Sequence, residues 1–575
     1  MLTAPINRED AIPRERVLPT EALAYLLLCL LALAWRLLAI TSGPLSPAEA
    51  QQALAAYRLA QGSPVAAETV AVTSPALLSI QALTFSLFAS NDAWARLPVA
   101  ILTSFFPLAF WLLRPGLGRT VPIAAALLLG FSPTWTAWGA QALPAELAVV
   151  ALLFALACAA QAVWKGSSRW AAASGATFGL ALASAPEVWS ALLLGLITWL
   201  LFFRDDWRKS PLWSHWRPFA LSLLTATLVL GTAATFNPLG LQGVLDIAAH
   251  WATSFWKHEP GALLSQVLLL LAYETLLLTL GLAAFAFLLP TNRWRKVLYF
   301  WVVGSLLLAL LSGSRPGGVL LALPPLALLG ADAAIILGKW LLALDRFLRL
   351  EGALAATALF GYGYVAVSGI ARRGELAYIV LALTAVGIVL ALLGLVWAQR
   401  GAQVAAAMLG LALLLVLVPW SLANTFQGSW YRRQRATELL YPVVTRSGLL
   451  DLRHDVEWLS WSRARHRTSL PMTVERDAGP LVGWYLRDMR VVNWVDRVPP
   501  DADTEVLITA GAAPPVLANA YVGQDYLIAS DWQPYFASGQ GFLSWLLYRK
   551  GEGGTDRRVT LWVRDNGQQS AFSVQ

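Results

Sequence analysis

The chain has 575 residues, 57% of them hydrophobic and only 13% charged, with a mean hydropathy of +0.59. A soluble globular protein carries about 25% charged residues, so this composition excludes an ordinary water-soluble enzyme, a disordered chain and a disulfide scaffold and leaves an integral membrane protein. The formal net charge of +8 does not point to nucleic acid, because Lys and Arg punctuate the loops rather than form one basic stripe.

In chain order, the polar segment 1–19 carries Arg8, Arg14 and Arg16. The apolar run after it lacks a small-residue cleavage site and reads as a retained first span. Stretches of roughly 20 apolar residues, enough to cross a bilayer, then recur to about residue 424. Spans are predicted at 20–41, 94–114, 121–138, 143–164, 170–184, 186–203, 217–236, 261–290, 296–313, 317–341, 350–370, 376–398 and 402–424, about thirteen in all. Cys29 and Cys158 lie inside these runs, where neither is placed for an exposed disulfide or a metal cluster. Alternate loops hold about eighteen and about seven Lys and Arg, which puts the N-terminus in the cytoplasm and, with an odd number of spans, the C-terminal segment outside.

Three outer segments result: loop 42–93, loop 237–260 and the tail 425–575. The tail mixes acidic and basic residues. Its β-type runs at 472–474, 491–495 and 505–509 alternate with helix-like runs at 479–487 and 514–520. The expected fold class is therefore mainly α: a polytopic transmembrane helical bundle (20–424) followed by a small soluble α/β domain (425–575).

The first outer loop carries the most information. Ser46-Pro47-Ala48-Glu49 starts a helix with an N-cap, a proline at the first helical position and an acid three residues after the cap, and Gly62 stops it. Glu49 has two readings: the capping-box partner of Ser46, or an acid above the membrane that acts as general base or positions a divalent metal ion. Arg36 and Arg96, at the outer ends of spans, are placed to pair with Glu49 or Asp92 and so to hold the loop. Glu187, in the turn Ser184-Ala185-Pro186-Glu187, is either solvated or lines a cavity. Arg315 is either an interfacial anchor or a contact for a lipid phosphate. His250, Lys257, His258 and Glu259 share an outer loop, but the His spacing matches no zinc motif. Arg463, Arg465, His466 and Arg467 read as a solvated helix end or a contact for anionic headgroups.

These residues carry a resemblance. Ala48-Glu49 opening the loop helix, then Thr73-Ser74-Pro75, Ala95-Arg96-Leu97-Pro98, Phe131-Ser132-Pro133, Leu143-Pro144-Ala145-Glu146 and Ser312-Gly313-Ser314-Arg315 ahead of Leu323-Pro324-Pro325, resemble the C-type membrane glycosyltransferases, which include protein mannosyltransferases and aminoarabinose transferases. In the tail, Gly483-Trp484-Tyr485-Leu486-Arg487-Asp488 and Ser530-Asp531-Trp532 resemble a bacterial and archaeal subgroup associated with flippase activity. The resemblance implies a polyprenyl-phosphate sugar as donor, a lipid, glycan or protein as acceptor, and chemistry on the outer face. It makes Glu49 and Glu146 the candidate catalytic acids, and Arg315, Arg96, Arg58 and Glu187 the candidate substrate contacts. Ala48 departs from the family, which carries an Asp there; Ala cannot accept a proton or bind a metal.

No phosphate-binding Gly-x-x-x-x-Gly-Lys-Ser/Thr, no Gly-x-Ser-x-Gly and no His-Glu-x-x-His occurs, which argues against ATP-driven transport and the hydrolases those motifs define. The abundant Trp fits interface belts, with Trp94 and Trp138 placed to stack on a sugar. Two alternatives stand beside the transferase. One is a non-catalytic partner that helps flip or present lipid-linked sugars, which Ala48 favours. The other is a secondary transporter, for which Asp332 and Glu274 would supply charge near span centres.

Overall fold

A computed structural model describes residues 19–63, 73–204, 215–257, 261–288, 292–313, 317–511 and 515–565. The first apolar run forms α1 (Pro19–Ala39). The loop after it folds into α2 (Pro47–Ala60) and α3 (Pro75–Leu87). Each starts with a serine whose side chain accepts from the amide three residues on, and each has proline at the first turn. Asn91 caps α4 (Asp92–Ser104), which continues through α5 (Phe106–Leu117) as one apolar rod. Then come α6 (Thr120–Gly130), the short α7 (Pro133–Trp138), α8 (Pro144–Lys165), α9 (Ser168–Leu182) and α10 (Glu187–Thr198), which runs on to Phe203. The second half holds α11 (Trp216–Gly231), α12 (Gly240–Ser254), α13 (Ala262–Ala272), α14 (Thr275–Phe287) and α15 (Arg293–Leu311). After a 3₁₀ segment, Gly317–Ala322, it ends with α16 (Leu323–Ala343), α17 (Arg346–Arg373), α18 (Leu376–Arg400) and α19 (Ala402–Phe426).

Among the described residues, 8 helices are long and apolar enough to cross a membrane, or up to 9 if α13 and α14, bent by 81°, count as one span. The predicted spans all fall on helices, but 121–138, 170–184, 186–203 and 217–236 fall on the shorter α6, α9, α10 and α11, and 261–290 on the bent pair. Prolines set two of these limits: Pro133 follows the end of α6 and Pro186 precedes α10, where the residue before proline is pushed out of the helical region. The core of this half gathers Phe106, Phe110, Trp135, Leu269, Leu323 and Leu326 from α5, α7, α13 and α16. In contrast, α17 and α18 expose Leu354, Val365, Leu383 and Leu390. In a membrane-spanning helix such a face belongs to lipid.

The C-terminal part contains β1 (Val443–Thr445), α20 (Gly448–Ala464), β2 (Met472–Glu475), α21 (Gly479–Tyr485), β3 (Val492–Val495), β4 (Val506–Ala510), β5 (Tyr521–Trp532), α22 (Gly539–Tyr548) and β6 (Gly554–Arg564). The sheet order is β1-β5-β6-β4-β2-β3. Strand β2 runs parallel to β3 and β4, and the other pairs are antiparallel. Three strands lie on the predicted β-type runs. The predicted helix at 514–520 does not form over its described part, 515–520. There Leu517 packs with Leu507 and Trp562 and the Ala518 amide donates to Pro500 at 2.9 Å, so packing over the sheet overrides local helical preference.

The domain closes over the first loop. Asp92 accepts from Trp484 Nε1 at 2.8 Å and from the Tyr485 hydroxyl at 2.6 Å, Tyr485 in turn accepts from the Leu45 amide at 3.0 Å, and Arg487 donates to the Ser90 carbonyl. The Trp484 ring packs against Phe85 and Tyr57. Loop 42–93 and the C-terminal domain therefore share one face of the helical bundle.

Candidate functional site

Beneath the closed loop lie two buried ion pairs. Arg96 meets Glu49 through two bonds, Nε to Oε1 at 2.7 Å and Nη2 to Oε2 at 2.9 Å. Its other donors reach the carbonyls of Ile40, Gly43 and Pro44 at 2.7–2.9 Å. Glu49 Oε1 also accepts from the Ala142 amide at 2.7 Å and Oε2 from the Ser46 amide at 2.8 Å. Both halves of the capping box are present. Each carboxylate oxygen thus has two donors, which fills the acceptor capacity of the group.

Burial alone would raise the Glu49 pKa, but the Arg96 guanidinium, Arg433 and the Ser46 amide outweigh it and hold the carboxyl at about 2. A carboxylate with no free lone pair and 1% exposure has nothing to offer a substrate hydroxyl or a metal ion. The structure gives Glu49 the capping and pairing role rather than that of base, and the divalent ion considered from sequence does not fit it. Among the described residues, no group of three or more His, Cys, Asp or Glu side chains could hold a metal ion.

Because the folded pKa lies below the ordinary value of about 4.3, the stabilisation is complete above that value and is lost as pH falls towards 2. It is worth on the order of 3 kcal/mol. Thermal unfolding measured in detergent at stepped pH is expected to show a steeper loss of midpoint below pH 4.5 for the wild type than for Glu49→Gln. Parallel curves would remove this assignment.

The second pair joins α1 to α8. Arg36 Nη2 donates to Glu146 Oε1 at 2.5 Å and Nη1 to the Thr103 hydroxyl at 2.8 Å, with both side chains buried. Gly139 is required here, since a Cβ would overlap the Arg36 guanidinium. Glu146 Oε2 has no hydrogen-bond partner among the described residues, yet the residue is only 1% exposed. Glu49 and Glu146 are neighbours in the fold, both tied to the segment 139–146, but each is sequestered with its own arginine.

The remaining candidates separate. Arg58 is exposed in the last turn of α2 and forms no ion pair with the described residues. Arg315, His258 and Glu259 lie outside the described residues. Trp138 is buried with its indole donating to Leu440, and Trp94 stacks on Phe88 at 4.5 Å, so neither ring is free for a sugar. Asp332 pairs with Arg295 at 2.8 Å, and Glu274 accepts from the Ser132 hydroxyl and the Thr134 amide at the start of α7. Both transporter candidates therefore have structural partners. Arg463 pairs with Glu505 at the end of α20.

Glu187 is placed differently. It begins α10 and lines a cavity with Ser190, His250, Trp251, Ser254 and Ser312, between α10, α12 and α15. Glu187 Oε2 has no hydrogen-bond partner among the described residues. Its Oε1 lies against the backbone of Gly317, where any Cβ would overlap it and would also meet Ala145. The Trp251 indole donates to the Ser190 hydroxyl at 2.8 Å, which fixes one aromatic wall. The cavity is small, and Pro186, Leu308, Ala309 and Leu321 line it beside these polar groups, so its surface is mainly apolar.

Sequence reasoning missed the buried groups contributed by the chain after α19. Arg433 donates to the Ala39 carbonyl at 2.7 Å and to Ser42 at 2.9 Å. Burial first, then the Arg96 charge, push its pKa down to about 10. Glu438 accepts from the Tyr273 hydroxyl and lies 3.7 Å from Arg549. The Arg549 guanidinium sits 4.4 Å over the Tyr273 ring, from a left-handed backbone, φ 54°. In sequence Arg433 is one more cation after a span, and nothing local marks it as buried.

A bundle of membrane helices with a capped loop helix on one face and an α/β domain closed over it is the fold of the C-type membrane glycosyltransferases. Within it, residues 72–232 match the family model described as dolichyl-phosphate-mannose-protein mannosyltransferase. The structure is similar to that of ArnT from Cupriavidus metallidurans bound to undecaprenyl phosphate, at 16% sequence identity over 96% of this chain and 99% of that chain, with a TM-score of 0.53. It is also similar to the archaeal oligosaccharyltransferase AglB from Archaeoglobus fulgidus in complex with an inhibitory peptide and a dolichol-phosphate, at 12% identity over 86% of this chain and 69% of that chain, TM-score 0.49. No curated protein matches the chain in sequence. At 16% identity the likeness to ArnT shows the fold alone.

Proposed function

We propose that this protein transfers a sugar from a polyprenyl-phosphate carrier to a lipid, glycan or protein acceptor, on the outer face of the membrane, in the cavity beside α10. The observation that carries the reading is Glu187: a carboxylate with an oxygen unpartnered among the described residues, in a small cavity that the Ser190 and Ser312 side chains also line. It lies in a fold shared over nearly the whole chain with a protein solved bound to undecaprenyl phosphate.

In this reaction the acceptor oxygen attacks the anomeric carbon, its proton passes to Glu187, and the bond from that carbon to the phosphate oxygen breaks. The bond electrons leave with the polyprenyl phosphate, whose charge needs a cation. Arg315, from the sequence just before Gly317, is proposed for that contact. Glu49 and Glu146 have the structural role of holding the first loop and the start of α8 through Arg96 and Arg36. No nucleotide is required, because the donor is already lipid-linked.

A second reading, a partner that binds and presents lipid-linked sugars without transferring them, is favoured by Ala48 together with the saturated Glu49. The purified full-length protein, incubated with a radiolabelled polyprenyl-phosphate sugar, separates the two. Release of free polyprenyl phosphate coupled to a glycosylated acceptor supports transfer. Saturable binding with no release supports the partner, and neither binding nor release would refute both.

A further inference from the structure

A small polar cleft opens where α17 ends and α22 lies beside it. It is lined by Ala371, Arg372, Ser544, Tyr548 and Lys550. Arg372 Nε donates to the Tyr548 hydroxyl at 3.0 Å, and its guanidinium sits 4.9 Å from that ring, so its direction is fixed by the domain. Arg372 and Lys550 form no ion pair with any carboxylate among the described residues.

Placing cations at a helix C-terminus is ordinary, since the helix dipole favours it. That accounts for Arg372 and Arg373 on α17 but not for Lys550, which the chain brings in from beyond α22. Two positive charges and two hydroxyls therefore converge with no protein anion to balance them.

Depth selects the ligand. Arg372 lies in the last turn of a membrane-spanning helix, and about two to three turns below it Tyr364, Val365 and Phe360 are exposed by 46%, 59% and 43%. In a bilayer those side chains meet acyl chains, and the cleft above them sits at the level of the headgroups. We infer that the cleft between α17 and α22 binds the phosphate headgroup of an anionic membrane phospholipid, whose acyl chains run down the exposed face of α17. The site is separate from the proposed reaction cavity and does not depend on that reading. It ties the C-terminal domain to the membrane through lipid as well as through protein.

Each basic residue near an anionic surface contributes about 1 kcal/mol, so loss of both cations corresponds to a fall in affinity on the order of 30-fold. The test is a lipid titration of the full-length protein followed by native mass spectrometry, with dioleoyl phosphatidylglycerol, dioleoyl phosphatidylcholine and undecaprenyl phosphate as separate probes. The wild type is expected to retain phosphatidylglycerol in preference to phosphatidylcholine. Arg372→Ala/Lys550→Ala is expected to lose that preference, while Arg372→Lys keeps most of it and Arg373→Ala, whose partner is Tyr378, leaves it unchanged. Equal retention of the two phospholipids by the wild type overturns the site, as does an unaltered preference in the double variant. Undecaprenyl phosphate retention that falls in the double variant while phosphatidylglycerol retention does not would overturn the phospholipid assignment. An unfolding midpoint kept in all variants ties the change to the cleft.

Discussion

Replacing Glu187 by Gln is expected to lower the turnover of a polyprenyl-phosphate sugar by roughly 10²- to 10⁴-fold, the usual contribution of a positioned general base, with the unfolding midpoint close to that of the wild type. The separation of the two effects follows from the geometry. Among the described residues Glu187 Oε2 has no hydrogen-bond partner and the side chain pairs with no cation, so no ion pair is lost with its charge, while the amide keeps its size. Gln cannot accept the acceptor proton. Turnover is measured as release of polyprenyl phosphate from the purified protein, and donor binding is measured alongside it. Unchanged turnover in Glu187→Gln would remove the residue from the mechanism. Glu49→Gln, by contrast, is expected to reduce activity only as far as it reduces the folded fraction.

Arg96→Ala is expected to destabilise the protein by about 3–5 kcal/mol, the range for removing one partner of a buried ion pair. The substitution strands the Glu49 carboxylate without its two strongest donors and also leaves the carbonyls of Ile40, Gly43 and Pro44 without theirs. Replacing both partners with apolar residues, Arg96→Met/Glu49→Met, is expected to recover part of that loss, because no buried charge then remains uncompensated. Thermal unfolding in detergent provides the measurement. A single variant as stable as the wild type would mean that the pair does not hold the loop.

Local chemistry made some of this structure legible from sequence. The Ser46-Pro47-Ala48-Glu49 pattern predicts a capped helix that Gly62 stops, and the helix runs Pro47–Ala60 with the capping box formed. The same pattern offered Glu49 as a base, and that ambiguity could not be resolved locally. The deciding partners are Arg96, 47 residues away, and the Ala142 amide, 93 residues away. Sequence placed Arg36 and Arg96 for pairing with Glu49 or Asp92. Arg96 does so, but Arg36 crosses to Glu146 on α8, and Asp92 is taken by Trp484 and Tyr485.

Apolar runs located helices but overcounted spans, about thirteen against 8 or up to 9 helices long and apolar enough among the described residues, because a proline or a two-residue break inside an apolar run changes the hydropathy average very little. The strands β2, β3 and β4 showed in their β-type composition. The edge strand β1 is only three residues long, too short for a period-2 pattern to register. Sequence leaves Glu187 either solvated or lining a cavity, because what decides between the two is the cavity contributed by α12 and α15.

The bonds from Trp484 and Tyr485 to Asp92 span 392 and 393 positions of the chain. At a synthesis rate of about 5–20 residues per second, roughly 20–80 s separate the emergence of Asp92 from that of its partners. During that interval the first loop stands without its cover, its apolar underside open to whatever else waits at the membrane surface. The loop thus receives its cover from residues made nearly last: without Trp484 and Tyr485, Asp92 loses both side-chain donors and the Tyr57–Phe85 surface loses its packing partner.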